Sequence, residues 1–151
     1  MKISERIRSY LHCGNGMGMG TRNAEMLPEY QRVLGGYVDE DERFNFFFDI
    51  PTARHTIRNL EENQDVVLVG CSNTFESYQL KGKALKWYES TEEELKMIDE
   101  YFKKFIDSMA AFGISDSVLN YPHSKMMTLT MEVHEMFEQT PKPGTGQKIK
   151  G

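Results

Sequence analysis

The sequence predicts a mainly β fold, a small six-stranded antiparallel barrel with peripheral helices, and three observations carry that expectation. Several segments alternate apolar and polar residues with period two, as strands with one buried face do. They follow one another through short turns, which favours antiparallel pairing. One of them switches its apolar face midway, marking a bulge where a small barrel can turn a corner.

Each element has its own signal. Ser4 can cap a short helix to Cys13 that carries Ile7 and Leu11 on one side and stops at Gly14. "GNGMGMG" has neither the spacing nor the preceding strand of a dinucleotide fingerprint, so it reads as a loop entering a thin strand, Met17 to Thr21. After the turn "RNAE", Met26 to Val38 reads as a second strand interrupted at Gly35-Gly36. "DEDE" is a hairpin loop before Arg43 to Asp49, where Phe44, Phe46 and Phe48 face one side and Phe47 implies cover on the other.

Thr52 can cap a helix over Ala53 to Glu62, which Asn63 can end. "VVLVG", within Asp65 to Asn73, is the β-branched run of a strand buried on both faces. Glu76 to Tyr88 alternates up to Ala84 and then shifts its apolar positions to Leu85 and Trp87. The clearest helix runs from Glu92 to Phe112, opened by a Thr91–Glu94 capping box and closed by Gly113. Its stripe is Leu95, Ile98, Phe102, Phe105, Met109 and Phe112. Lys125 to Phe137 is the last strand, and 139–151 is an extended tail outside the sheet.

A chain of 151 residues can bury a substantial core as a single domain, 1–151. No apolar run reaches the ~20 residues that cross a bilayer. No signal peptide is read at the start either, so the expected compartment is the cytoplasm. A net charge of −5 gives no general attraction to polyanions, and no nucleic-acid partner is expected. Cys13 and Cys71 form no C-x-x-C pair and read as reduced core thiols. His12, His55, His123 and His134 show no metal-ligand spacing, so no metal is expected.

One charge is out of place. Arg54 and His55 fall in the first turn of a helix, where unpaired N–H groups and the macrodipole favour Asp and Glu. With Arg32, which precedes the Gly35-Gly36 break, they form the one basic constellation of the chain. A phosphate brought to these groups would use the helix N–H donors and allow bidentate guanidinium pairing. Pairing of Arg54 with the "DEDE" loop, or with Glu61 or Glu62, accounts for the charge equally well.

The span Gly20 to Ala84 resembles the pyridoxamine 5′-phosphate oxidase-like flavoproteins with the FMN-binding split barrel. The matching pieces are "TRNA", the strand carrying Arg32, the aromatic strand entering "ARHTIRNLEEN", and "SYQLKGKA". The closing "EQTPKPGTGQKI" is similar to the tail of one branch of that group. The resemblance implies a split barrel and a homodimer with FMN at two sites in the subunit interface. Arg32, Arg54 and His55 would hold the phosphate, His55 standing where the oxidases usually carry Lys. Phe48 and Asp49 would lie along the flavin with their backbone groups. Ser77 takes the place of a ring-contacting Gln, and Gln79 can substitute only if its face points inward.

Tyr37 stands near the place of an oxidase Lys, and the oxidase's late Trp and Arg motif is missing, the only Trp being Trp87. Pyridoxamine phosphate is therefore not the expected substrate. The implied activity is a flavin-dependent oxidoreductase exchanging hydride or electrons with small molecules. Related branches bind deazaflavin or haem, so a flavin or haem store or sensor is the alternative. A cofactor-free interaction protein is a third reading, which leaves Arg54 and His55 unexplained.

Overall fold

The computed structural model describes residues 2–115 and 125–150; His123 lies outside them. Seven strands form one antiparallel sheet: β1 (Gly16–Arg22), β2 (Pro28–Val33), β3 (Gly36–Val38), β4 (Phe44–Asp49), β5 (Asp65–Cys71), β6 (Ser77–Glu89) and β7 (Met126–Glu138). Their order is β2-β1-β5-β6-β7-β4-β3. The two edge strands are successive stretches of one run of chain. The Leu34 N–H donates to the Phe47 carbonyl at 2.8 Å, and the Phe47 N–H donates to the Gly35 carbonyl at 3.1 Å. That run leaves β1 and joins β4, so the sheet curls round on itself as a split barrel.

The expected second strand is therefore two, and the count is seven rather than six. Gly35 makes the division with φ +94°, and a Cβ there would lie 2.9 Å from the Tyr101 ring. The bend expected in β6 is present as register shifts at Lys81/Gly82 and Ala84/Lys86.

All six residues of β4 are buried, Phe47 included. Burying each of its four Phe side chains contributes roughly 1.5–3 kcal/mol. The reading of β5 as covered on both faces is corrected: Val66 and Leu68 are buried, but Val67 is half-buried and Val69 is 42% exposed. The chain fills the barrel interior and leaves the outer face of β5 open.

Helices close the two ends of the barrel. α1 (Glu5–His12) is capped by Ser4, whose hydroxyl accepts the Ile7 N–H. Its Tyr10 packs edge-on against Tyr78 and donates to the Glu76 carbonyl. α2 (Arg54–Asn63) spans the opposite end, where Asn59 donates to the Thr21 hydroxyl at 3.1 Å and Asn63 to the Arg22 carbonyl at 2.7 Å. It ends on Gln64 in the left-handed region rather than on Asn63.

α3 (Glu92–Ala110) has the expected capping box. Its stripe needs correction: Tyr101 joins Ile98, Phe102 and Phe105 in the core, while Leu95 and Phe112 are exposed. Both cysteines are also exposed rather than core thiols. The tail is not fully outside the sheet. Lys148 forms a bridge with Phe137, and the Ile149 N–H donates to the Met136 carbonyl, so the tail covers the part of β7 that β4 does not reach.

Candidate functional site at the start of α2

The turn from β4 into α2 is built by Asp49 and Thr52. The Asp49 carboxylate accepts the Thr52 N–H at 3.3 Å, and its carbonyl accepts the Thr52 hydroxyl at 3.3 Å. Thr52 Oγ1 also accepts from Gln31 Nε2 at 3.0 Å, which ties the turn to β2. Thr52 is thus spent on the turn and does not cap the helix, contrary to the sequence expectation. The N-cap is Ala53, with no side-chain hydrogen bond, and no acidic residue lies in the first turn.

The first N–H to find a helical acceptor is that of Ile57, on Ala53 O at 2.9 Å. The N–H groups of Arg54, His55 and Thr56 have no acceptor among the described residues. Thr56 is 1% exposed, and its hydroxyl is the one buried side-chain polar atom without a partner among them. The Arg54 and His55 side chains are exposed and make no hydrogen bond or ion pair among the described residues. Glu62 instead pairs with Arg58 at 3.6 Å and accepts the Ala24 N–H at 2.8 Å. His55 and Arg58 line a cleft of about 360 Å³ against the β1–β2 turn.

An uncapped helix start with free donors, two free basic side chains and an orphaned hydroxyl is chemically fitted to a phosphate or similar anion. Asp49 belongs to this assembly, buried and holding the turn. Phe48 adjoins it, but its side chain is wholly in the core.

The other sequence candidates lie elsewhere. Gln31, not Arg32, is the β2 side chain that reaches the α2 start. Arg32 points from the opposite face, with its guanidinium carbon 5.1 Å over the Phe105 ring of α3. Ser77 and Gln79 project outward from β6, because Tyr78 and Leu80 take the core face. The inward orientation required of Gln79 is not met with respect to the barrel interior.

Ser77 lies at the α1 end, paired with Cys71, whereas α2 adjoins the Asp65 end of β5. It is the last residue of the helix, Asn63, that meets that end, while its start is tied through Thr52 to Gln31. The sequence could not reveal Gln31 or Thr56, because their roles depend on register and burial. Only the adjacency of Gln31 to Arg32 and of Thr56 to His55 pointed near them.

By sequence, neither a family model nor a curated protein matches the chain. Solved structures do. HupZ of Group A Streptococcus aligns over 99% of this chain and 100% of its own, with a TM-score of 0.60 at 13% identity. The fold is the split barrel. An F420 reductase aligns over 89% of this chain and 98% of its own at TM-score 0.59 and 16% identity. A pyridoxamine 5′-phosphate oxidase-related, FMN-binding protein from Nostoc punctiforme covers 95% of this split barrel and 89% of its own chain, at TM-score 0.53 and 14% identity. The resemblance read from "ARHTIRNLEEN" and "SYQLKGKA" therefore holds at the level of fold. No described helix is long and apolar enough to cross a membrane.

Proposed function

We propose that this chain is an FMN-binding flavoprotein that works as a homodimeric oxidoreductase. The observation that carries the reading is the start of α2, where N–H groups without an acceptor among the described residues meet the exposed Arg54 and His55. FMN, when bound, supplies hydride and single-electron transfer. The chain's own part is to hold and orient. Arg54, His55 and the N–H groups beside them grip a phosphate, while the Asp49–Thr52–Gln31 hydrogen bonds keep that turn in place.

Two features of the chain fit a second copy. The open outer face of β5 carries β-branched residues that one chain leaves uncovered. Ser77 and Gln79 face outward from β6, where a partner would meet them. Arg32 would anchor phosphate only by leaving the Phe105 ring.

The test compares FMN with riboflavin by calorimetric titration, followed by stopped-flow reduction with NADH and NADPH. The reading expects FMN to bind far more tightly than riboflavin and the bound flavin to be reduced. A protein that binds both equally loses the phosphate assignment. One that holds a flavin no nicotinamide reduces is a store or sensor instead.

A further inference from the structure

The outer face of the sheet has a feature that the cofactor reading does not use. Tyr30 stands across from Gly20 in the β1–β2 register, yet its ring leans over Gly18, so Gly20 is left uncovered. Beside it, β5 offers the half-buried Val67, and β6 offers Lys81 and the bulged Gly82. The result is a groove of about 390 Å³ with an apolar floor. That volume falls within the range of small-molecule sites. A Cβ at Gly20 would lie 2.9 Å from Val67 Cγ1 and fill the cradle.

The rim is cationic. Asp65, at one end, is neutralised twice, by Arg22 and by Lys83 at 2.5 Å. Lys81 has no hydrogen bond or ion pair among the described residues, and its Nζ stands 5.0 Å over the Phe137 ring. Glu135, paired across from Lys81 in the sheet, is held by Lys148 at 2.8 Å. Positive charge is left over beside a flat apolar surface.

We propose that this groove is a binding site for a planar aromatic monoanion, its ring lying on Gly20, Val67 and Pro28 and its negative group meeting Lys81. The occupant follows from charge complementarity and from the missing side chain at Gly20. The exposed Val69, on which a second copy would rest, is not among the residues that line the groove. The inference is independent of the α2 anion site, so a chain that binds no FMN would still take the aromatic anion.

The probe is 2-naphthoate, titrated into the whole protein and followed by amide NMR shifts. The expected shifts centre on Gly20, Val67 and Lys81. Lys81→Gln weakens binding about tenfold, and the neutral 2-naphthylmethanol binds about tenfold more weakly than naphthoate to the unaltered protein, each about 1.4 kcal/mol. Gly20→Val abolishes the shifts. Because a β-branched side chain at Gly20 can disturb β1, the Lys81 and neutral-probe arms decide the matter without it. Equal naphthoate affinity in Lys81→Gln, shifts centred elsewhere, or no shifts overturn the proposal. So does a dimer in sedimentation whose interface excludes naphthoate from the groove.

Discussion

α2 and α3 begin in opposite ways. At the start of α3, Thr91 caps the helix and three acidic residues occupy the first turn. Glu94 is buried, and its carboxylate accepts from the Thr91 N–H at 2.9 Å, Tyr37 at 3.1 Å, Tyr88 at 2.9 Å and Thr128 at 2.9 Å. At the start of α2 there is no side-chain cap, no acid within the first turn and no acceptor among the described residues, but two exposed cations. A helix start is electrostatically incomplete until something negative satisfies it. α3 carries its own anion within the chain, and α2 has none in its first turn, which is the place the proposed phosphate would take.

The largest effect expected from breaking this contrast is at the complete end. Glu94→Ala strands the Tyr37 and Tyr88 hydroxyls and removes the capping box, costing about 2–4 kcal/mol in urea unfolding. The matching change Arg54→Ala should leave the stability of the cofactor-free protein within about 0.5 kcal/mol, because that exposed side chain has no partner among the described residues.

Ligand binding reverses the ranking. Arg54→Ala should weaken FMN tenfold or more, about 1.4–3 kcal/mol for a lost charge-assisted contact, and leave riboflavin unchanged. Equal weakening of both flavins in titration calorimetry would dissolve the contrast. Thr91→Ala should cost about 1 kcal/mol as the loss of a side-chain cap.

A smaller and more telling change is Arg54→Glu. It should raise the thermal stability of the cofactor-free protein by about 0.3–1 kcal/mol through the helix dipole while abolishing FMN binding. A destabilised variant would mean that α2 is not short of negative charge.

Acid sharpens the same comparison. Burial pushes the Glu94 carboxyl up, but the Thr91 N–H and the Tyr88, Thr128 and Tyr37 hydroxyls outweigh it and hold the group below its ordinary value of 4.5. Its folded value lies below its unfolded one, so its contribution is present above about pH 4.5 and is lost as pH falls through the lower folded value. Unfolding measured from pH 7 down to pH 3 should show a loss that Glu94→Gln reduces.

Legibility in the sequence followed the range of the interactions. The α3 box was readable because Thr91 and Glu94 are three residues apart. The positive start of α2 was equally plain. Its missing cap was not, because Thr52 is held by Gln31, a partner 21 residues away. Arg32 read as part of the same anion site, yet strand alternation sends it to the face under Phe105. "VVLVG" signalled burial on both sides, but a single chain supplies only one of them. Cys13 and Cys71 read as core thiols from residue type alone, and their positions at the ends of α1 and β5 leave them exposed.

The sequence by itself determined the alternation of the strands, the helix caps made from near neighbours, the bend in β6 and the unmatched charge at Arg54 and His55. Each of these depends on residues a few positions apart. Only the tertiary structure decided that Gly35 carries one strand from β1 to β4, that Thr52 is used up by Gln31, and that Gly20, Val67 and Lys81 form one groove. Those outcomes rest on strand register and on which backbone positions come into contact, and no local spacing encodes them.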